Sequence, residues 1–137
     1  MDCKKNKRNI FQRAFGICIT KEPADKLSWY LDDKTLSIDL EKATELQEPG
    51  SGLRFEDDNF RLLVVHFEDD SFAAYDNRCL HGKRRLDLVE GTDTVQCCSM
   101  GATTYDKSGN VICGDVKGEL KTFEISRDND KLIIHLN

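Results

Sequence analysis

The sequence predicts an all-β, antiparallel domain, on three observations. From Trp29 onward the apolar stretches are short, and acidic, Asn and Gly turns separate them; several of these stretches bracket two- to four-residue polar turns; and no long helical pattern runs through that part of the chain. In order, residues 28–31 and 35–40 flank Asp32-Asp33-Lys34 as a hairpin. Residues 41–46 make one helical turn before Pro49-Gly50-Ser51-Gly52, and the core begins after those glycines. Residues 60–67 and 71–75 bracket Glu68-Asp69-Asp70 as a second hairpin. Residues 85–89 lead through the turn 90–93 to a returning strand at 94–96, and residues 121–126 and 131–136 bracket 127–130 as the last hairpin.

Ahead of this region the texture differs. The first 13 residues hold Lys4, Lys5, Lys7, Arg8 and Arg13 against Asp2 alone. Ile10, Phe11, Ala14, Phe15 and Cys18 recur at helical spacing until Pro23 discourages continuation, which predicts a short amphipathic helix. The chain therefore divides into a basic arm, 1–27, and one domain, 28–137, since 137 residues suit a single core. The helix packs on its own domain or touches a partner or membrane surface.

Composition excludes several classes. With 20 basic and 25 acidic residues the surface is mildly acidic, which disfavours a general binder of nucleic acid. No apolar run reaches the roughly 20 residues that cross a bilayer, nor does any near the start resemble a signal-peptide core. A cytoplasmic location is expected, where six cysteines serve metal or cluster ligation more readily than a disulfide framework. Cys3, Cys18 and Cys113 read as small apolar residues.

The chemistry lies between the second and last hairpins. Cys79 and His81, one residue apart, can aim a thiolate and an imidazole from one tight loop. Cys97 and Cys98 follow after fifteen intervening residues. Two ligand loops facing each other from separate segments are what an inorganic cluster needs. Three thiolates and one imidazole also satisfy tetrahedral zinc, although the spacing is unlike a zinc finger.

Cys79-x-His81, fifteen residues and Cys97-x-x-Met100-Gly101 resemble the Rieske pattern Cys-x-His, spacer, Cys-x-x-His-Gly. The resemblance covers about residues 50–137, supported by Leu63-Val64-Val65, by Phe72 to Asn77, by Tyr105-Asp106 with Gly109, and by Gly114 before the closing hairpin. It implies a Rieske-type antiparallel β-sandwich with an inserted cluster-binding subdomain. It also implies a 2Fe-2S cluster with Cys79 and Cys97 on one iron and His81 on the other.

Two positions depart from the family. Met100 stands where the second histidine ligand belongs, and Asp115 replaces a proline that in many relatives covers the cluster. His66 and His135 lie in strand patterns far from both loops and are poor substitutes. Cys98 is the better fourth ligand, giving three cysteines and one histidine, provided the turn folds tightly enough to aim adjacent residues at one centre. A thiolate in place of an imidazole would lower the potential; Met100 is the weaker option. The expected role is electron transfer to a redox partner protein, with Lys83, Arg84 and Arg85 as a basic rim. The chain is then a carrier or a subunit of an oxidoreductase rather than an enzyme by itself. The other readings are a cluster-free interaction subunit, as the small subunit of assimilatory nitrite reductase suggests, and a zinc site on the same residues.

Overall fold

The computed structural model describes residues 18–80, 82–98 and 101–136. The amphipathic helix expected in the basic arm lies outside the described residues. The regular elements are strands, apart from one 3-10 turn, Thr44–Leu46, within the helical turn expected at 41–46.

Seven strands form one antiparallel sheet: β1 (Trp29–Asp32), β2 (Thr35–Asp39), β3 (Ser51–Glu56), β4 (Arg61–His66), β5 (Phe72–Asp76), and, from the end of the chain, β10 (Thr122–Asp128) and β11 (Lys131–His135). Their order is β1-β2-β11-β10-β5-β4-β3. The three expected hairpins form, each around a short-side-chain residue in the left-handed region: Asp33 at φ 56°, Asp70 at φ 70° and Asn129 at φ 55°. Asp and Asn tolerate that region better than other side chains, so these turns fix the registers.

β1 and β3 are opposite edges in this order, yet Trp29 of β1 meets Phe55 of β3 edge-to-face at 6.0 Å. The sheet therefore curls back upon itself, enclosing Leu36, Ile38, Leu53, Phe55, Leu62, Val64, Leu132 and Ile134. β3 starts one residue after Gly50, earlier than the glycine-rich stretch suggests. Gly50 takes φ 84°, a backbone conformation that L side chains rarely adopt, so the turn needs this glycine. Ser51 and Gly52 already pair with His66 and Val65 in the ladder.

β4 explains how the smaller sheet attaches. Leu62 and Val64 face the curled core, while Leu63 and Val65 face a second one with Phe67, Tyr75, Leu86, Val95, Tyr105 and Leu120. Both faces being buried accounts for the unbroken apolar run at 62–65. The smaller sheet, inserted between β5 and β10, has the order β6 (Leu86–Leu88), β7 (Val95–Cys97), β8 (Thr104–Tyr105) and β9 (Val111–Cys113), all antiparallel.

Part of the arm is held against β3. Residues 18–27 form no helix or strand, but Arg54 N–H donates to the Lys21 carbonyl at 3.0 Å and Arg54 Nε to that of Thr20 at 3.1 Å. Cys113, expected as a small apolar residue, is instead half-buried and disulfide-bonded.

Candidate functional site

Loop 79–84 connects β5 to β6. Its ends are closed by two backbone bonds, Cys79 N–H to the Arg84 carbonyl and Lys83 N–H to the Cys79 carbonyl, both 2.8 Å. Asn77, fully buried, accepts from Leu86 N–H at 2.7 Å through its side-chain oxygen and so fixes where β6 departs. The second loop follows β7: Cys97 N–H donates to the Thr103 carbonyl at 2.8 Å and Cys98 N–H to that of Arg85 at 3.1 Å. A third segment touches both loops. A Cβ on Gly114 (φ 127°) would come within 3.0 Å of the Thr103 side chain, and Gly118 lies against Leu80.

Cys79 and Cys97, both 1 % exposed, belong to the same buried cluster as Tyr105. The Tyr105 hydroxyl accepts from Leu80 N–H at 3.1 Å and is hydrogen-bonded to Cys79 Sγ at 3.3 Å, a contact in which either group can donate. Burial, and then the hydrogen bond to Cys79, pushes the Tyr105 phenol up, so it stays protonated through the alkaline range. The sequence reading placed Tyr105 only as scaffold; nothing in spacing announces a phenol aimed at a thiol 26 residues away.

Cys98 sits apart from these two. Successive strand residues face opposite ways, and with Cys97 turned into the core, Cys98 turns to the other side. Its thiol donates to Asp87 Oδ2 at 3.5 Å, and Cys18, Asp87 and Cys98 bring their ligand atoms within 4.8 Å of one another. Asp87, fully buried, also accepts Ile19 N–H at 3.0 Å, Thr20 N–H at 2.8 Å and the Thr20 hydroxyl. A hydrogen bond from Cys98, with the charges of Arg54 and Arg85, outweighs burial and lowers Cys18 to about 6. Cys98 has one proton, to be given either to Cys18 or to Asp87. The sequence reading took Cys18 as a small apolar residue and did not single out Asp87.

His81 and Met100 lie outside the described residues. His66 is buried, with Nδ1 2.7 Å from the Leu46 carbonyl, Nε2 2.6 Å from Asp70 Oδ1, and its ring stacked on Phe72. His135 is exposed on β11. Of the basic rim, Lys83 and Arg84 are exposed. Arg85 instead donates to Glu56 from Nε at 3.0 Å and Nη2 at 2.8 Å. Burial raises the Glu56 carboxyl, but the Arg85 hydrogen bond and the charges of Arg85, Arg54 and Arg61 outweigh it and hold Glu56 below its ordinary value.

The donor chemistry of the core pair fits one iron of an iron-sulfur cluster: two buried thiols from separate loops, with a hydroxyl aimed at one sulfur. The model of the Rieske [2Fe-2S] domain matches residues 36–124. No curated protein matches the sequence. Among solved structures, the chain is similar to the ferredoxin of carbazole 1,9a-dioxygenase from Nocardioides aromaticivorans IC177, at 19 % identity and TM-score 0.57, covering 66 % of this chain and 88 % of that one. A chain in the complex of reduced oxygenase and oxidized ferredoxin in carbazole 1,9a-dioxygenase gives 20 %, 0.58, 67 % and 85 % respectively. The quaternary ammonium Rieske monooxygenase CntA, with substrate gamma-butyrobetaine, gives 15 % and 0.54; 69 % of this chain covers 30 % of that one. These likenesses are ones of fold. With the family model spanning well over half of its length, the chain belongs to the Rieske [2Fe-2S] domain family.

Proposed function

We propose that this chain is an electron-transfer protein that holds a 2Fe-2S cluster through Cys79 and Cys97 on one iron and His81 on the other. The observation that carries the reading is that Cys79, in the loop before β6, and Cys97, at the end of β7, share one buried cluster with Tyr105. When bound, such a cluster accepts and returns one electron. The chain's own contribution is to fix the two sulfurs, to donate a hydrogen bond to one of them from Tyr105, and to keep water from both.

The fourth position is the finer part of the proposal. The sequence reading assigned it to Cys98. The alternation of side chains after β7, and the contacts of Cys98 with Asp87 and Cys18, favour a ligand further along the loop, at Met100. Comparison of Cys98→Ala with Met100→Ala tests this: the visible spectrum is expected to survive in the first variant and to be lost in the second. Loss in Cys98→Ala would return the assignment to three cysteines and one histidine.

The partner is a redox protein. A ferredoxin solved with its oxygenase gives the precedent among proteins of this fold, and Leu80, 40 % exposed beside Cys79, with exposed Lys83 and Arg84, suits an apolar contact ringed by positive charge. A cytoplasmic location is part of the same proposal. Among the described residues no helix is long and apolar enough to cross a membrane.

A further inference from the structure

We propose that Cys18 and Cys98 form a reversible thiol–disulfide pair that ties the 18–20 segment to the end of β7, beside Cys97. This inference rests on the reading above in one respect, that Cys98 is not a cluster ligand. The two sulfurs lie within 4.8 Å of each other although 80 positions apart, and a disulfide requires about 2.05 Å. Closing that gap asks for a small movement of one side chain, which Cys18, half-buried in a segment without regular structure, can make.

The segment is held in place rather than merely nearby. Ile19 and Thr20 donate both backbone N–H groups to the Asp87 carboxylate, and Arg54 holds the Thr20 carbonyl from the other side. The two thiols are therefore kept at high effective concentration. A metal ion is the competing occupant, because Asp87 completes a set of three donors. Asp87 opposes it: both of its oxygens already accept, from Ile19, Thr20 and Cys98, so the carboxylate is committed to holding the segment.

The oxidant is a low-molecular-weight disulfide. The accessible Cys18 thiolate attacks one sulfur of the reagent, whose S–S bond breaks; a mixed disulfide forms on Cys18 and one small thiolate leaves. Cys98 then attacks the Cys18 sulfur and displaces the second small thiolate. The protein loses two electrons and two protons, and the reagent gains both as two thiols.

Oxidised glutathione, added to the anaerobically purified full chain, followed by alkylation, digestion and mass spectrometry, tests the proposal. Iron and sulfide are assayed in parallel, so that failure of the cluster reading is scored separately. In the wild type we expect a peptide joining Cys18 to Cys98, lighter by two hydrogens and cleaved by dithiothreitol. In Cys98→Ser, glutathione stays on Cys18; in Cys18→Ser, Cys98 is not modified. Glutathione retained on wild-type Cys18 without the joined peptide would overturn the proposal. So would one equivalent of zinc protecting both thiols, or Cys98 reacting only after cluster loss.

Discussion

Replacing Tyr105 by Phe removes a single oxygen that serves two neighbours at once. The Leu80 N–H, 3.1 Å away, loses its acceptor in a site where the side chain is fully buried, and Cys79 loses the hydroxyl 3.3 Å from its sulfur. The Leu80 amide is only part-buried, so each lost hydrogen bond costs about 0.5–1.5 kcal/mol; with the ring retained we expect a loss of ~1–2 kcal/mol for the two together. For a domain of this size that is a fall of about 3–6 °C in Tm. The second effect falls on the cluster. A hydrogen bond to a ligand sulfur stabilises the reduced, more negative state more than the oxidised one, so its loss lowers the potential. If the differential is ~1 kcal/mol, the shift is about 40 mV downward, on the scale of 59 mV per tenfold change for one electron. Thermal melts and a spectroscopic redox titration of Tyr105→Phe read the two effects. An unchanged Tm together with an unchanged or raised potential would refute the shared role of the hydroxyl.

Other expectations follow from the same geometry. Cys79→Ala and Cys97→Ala should each abolish iron and sulfide binding, whereas Cys98→Ala should retain both; an intact visible spectrum in Cys97→Ala would contradict the assignment of the core pair. Asp87→Asn places an amide among the Ile19 and Thr20 donors, and losing a buried, multiply bonded carboxylate should cost about 2–4 kcal/mol in urea melts. A change below about 0.5 kcal/mol would show that Asp87 does not anchor the segment. Because the folded pKa of Glu56 lies below 4.5, its contribution to stability is complete above that value and is lost as pH falls toward the folded pKa. The stability gap between wild type and Glu56→Gln should therefore be present at neutral pH and shrink in acid; a gap independent of pH would count against the Arg85 pair.

The hairpins were legible because their turn residues carry a physical requirement. Asp33, Asp70 and Asn129 are the short polar side chains that left-handed backbone tolerates, and each lies between apolar runs of strand length. β3 was not read as a strand because Pro49-Gly50-Ser51-Gly52 reads as one loop, whereas only Gly50 is needed for the turn. The two cysteine loops were legible through their spacing. The contacts of Cys98 with Asp87 and Cys18 were not, because they join segments that only the fold brings together. Cys18 and Asp87 carry no signal at all in sequence, since their contact depends on a segment folding back across 69 positions. Cys113 misled in the same way, because nothing local distinguishes a bridged cysteine from a small apolar residue.

The most direct measurement is anaerobic purification of the chain with iron, acid-labile sulfide and zinc analysis beside a visible spectrum. The account predicts two irons and two sulfides per chain with broad visible bands. A folded, colourless protein carrying neither iron nor sulfide, or one zinc in their place, would contradict it.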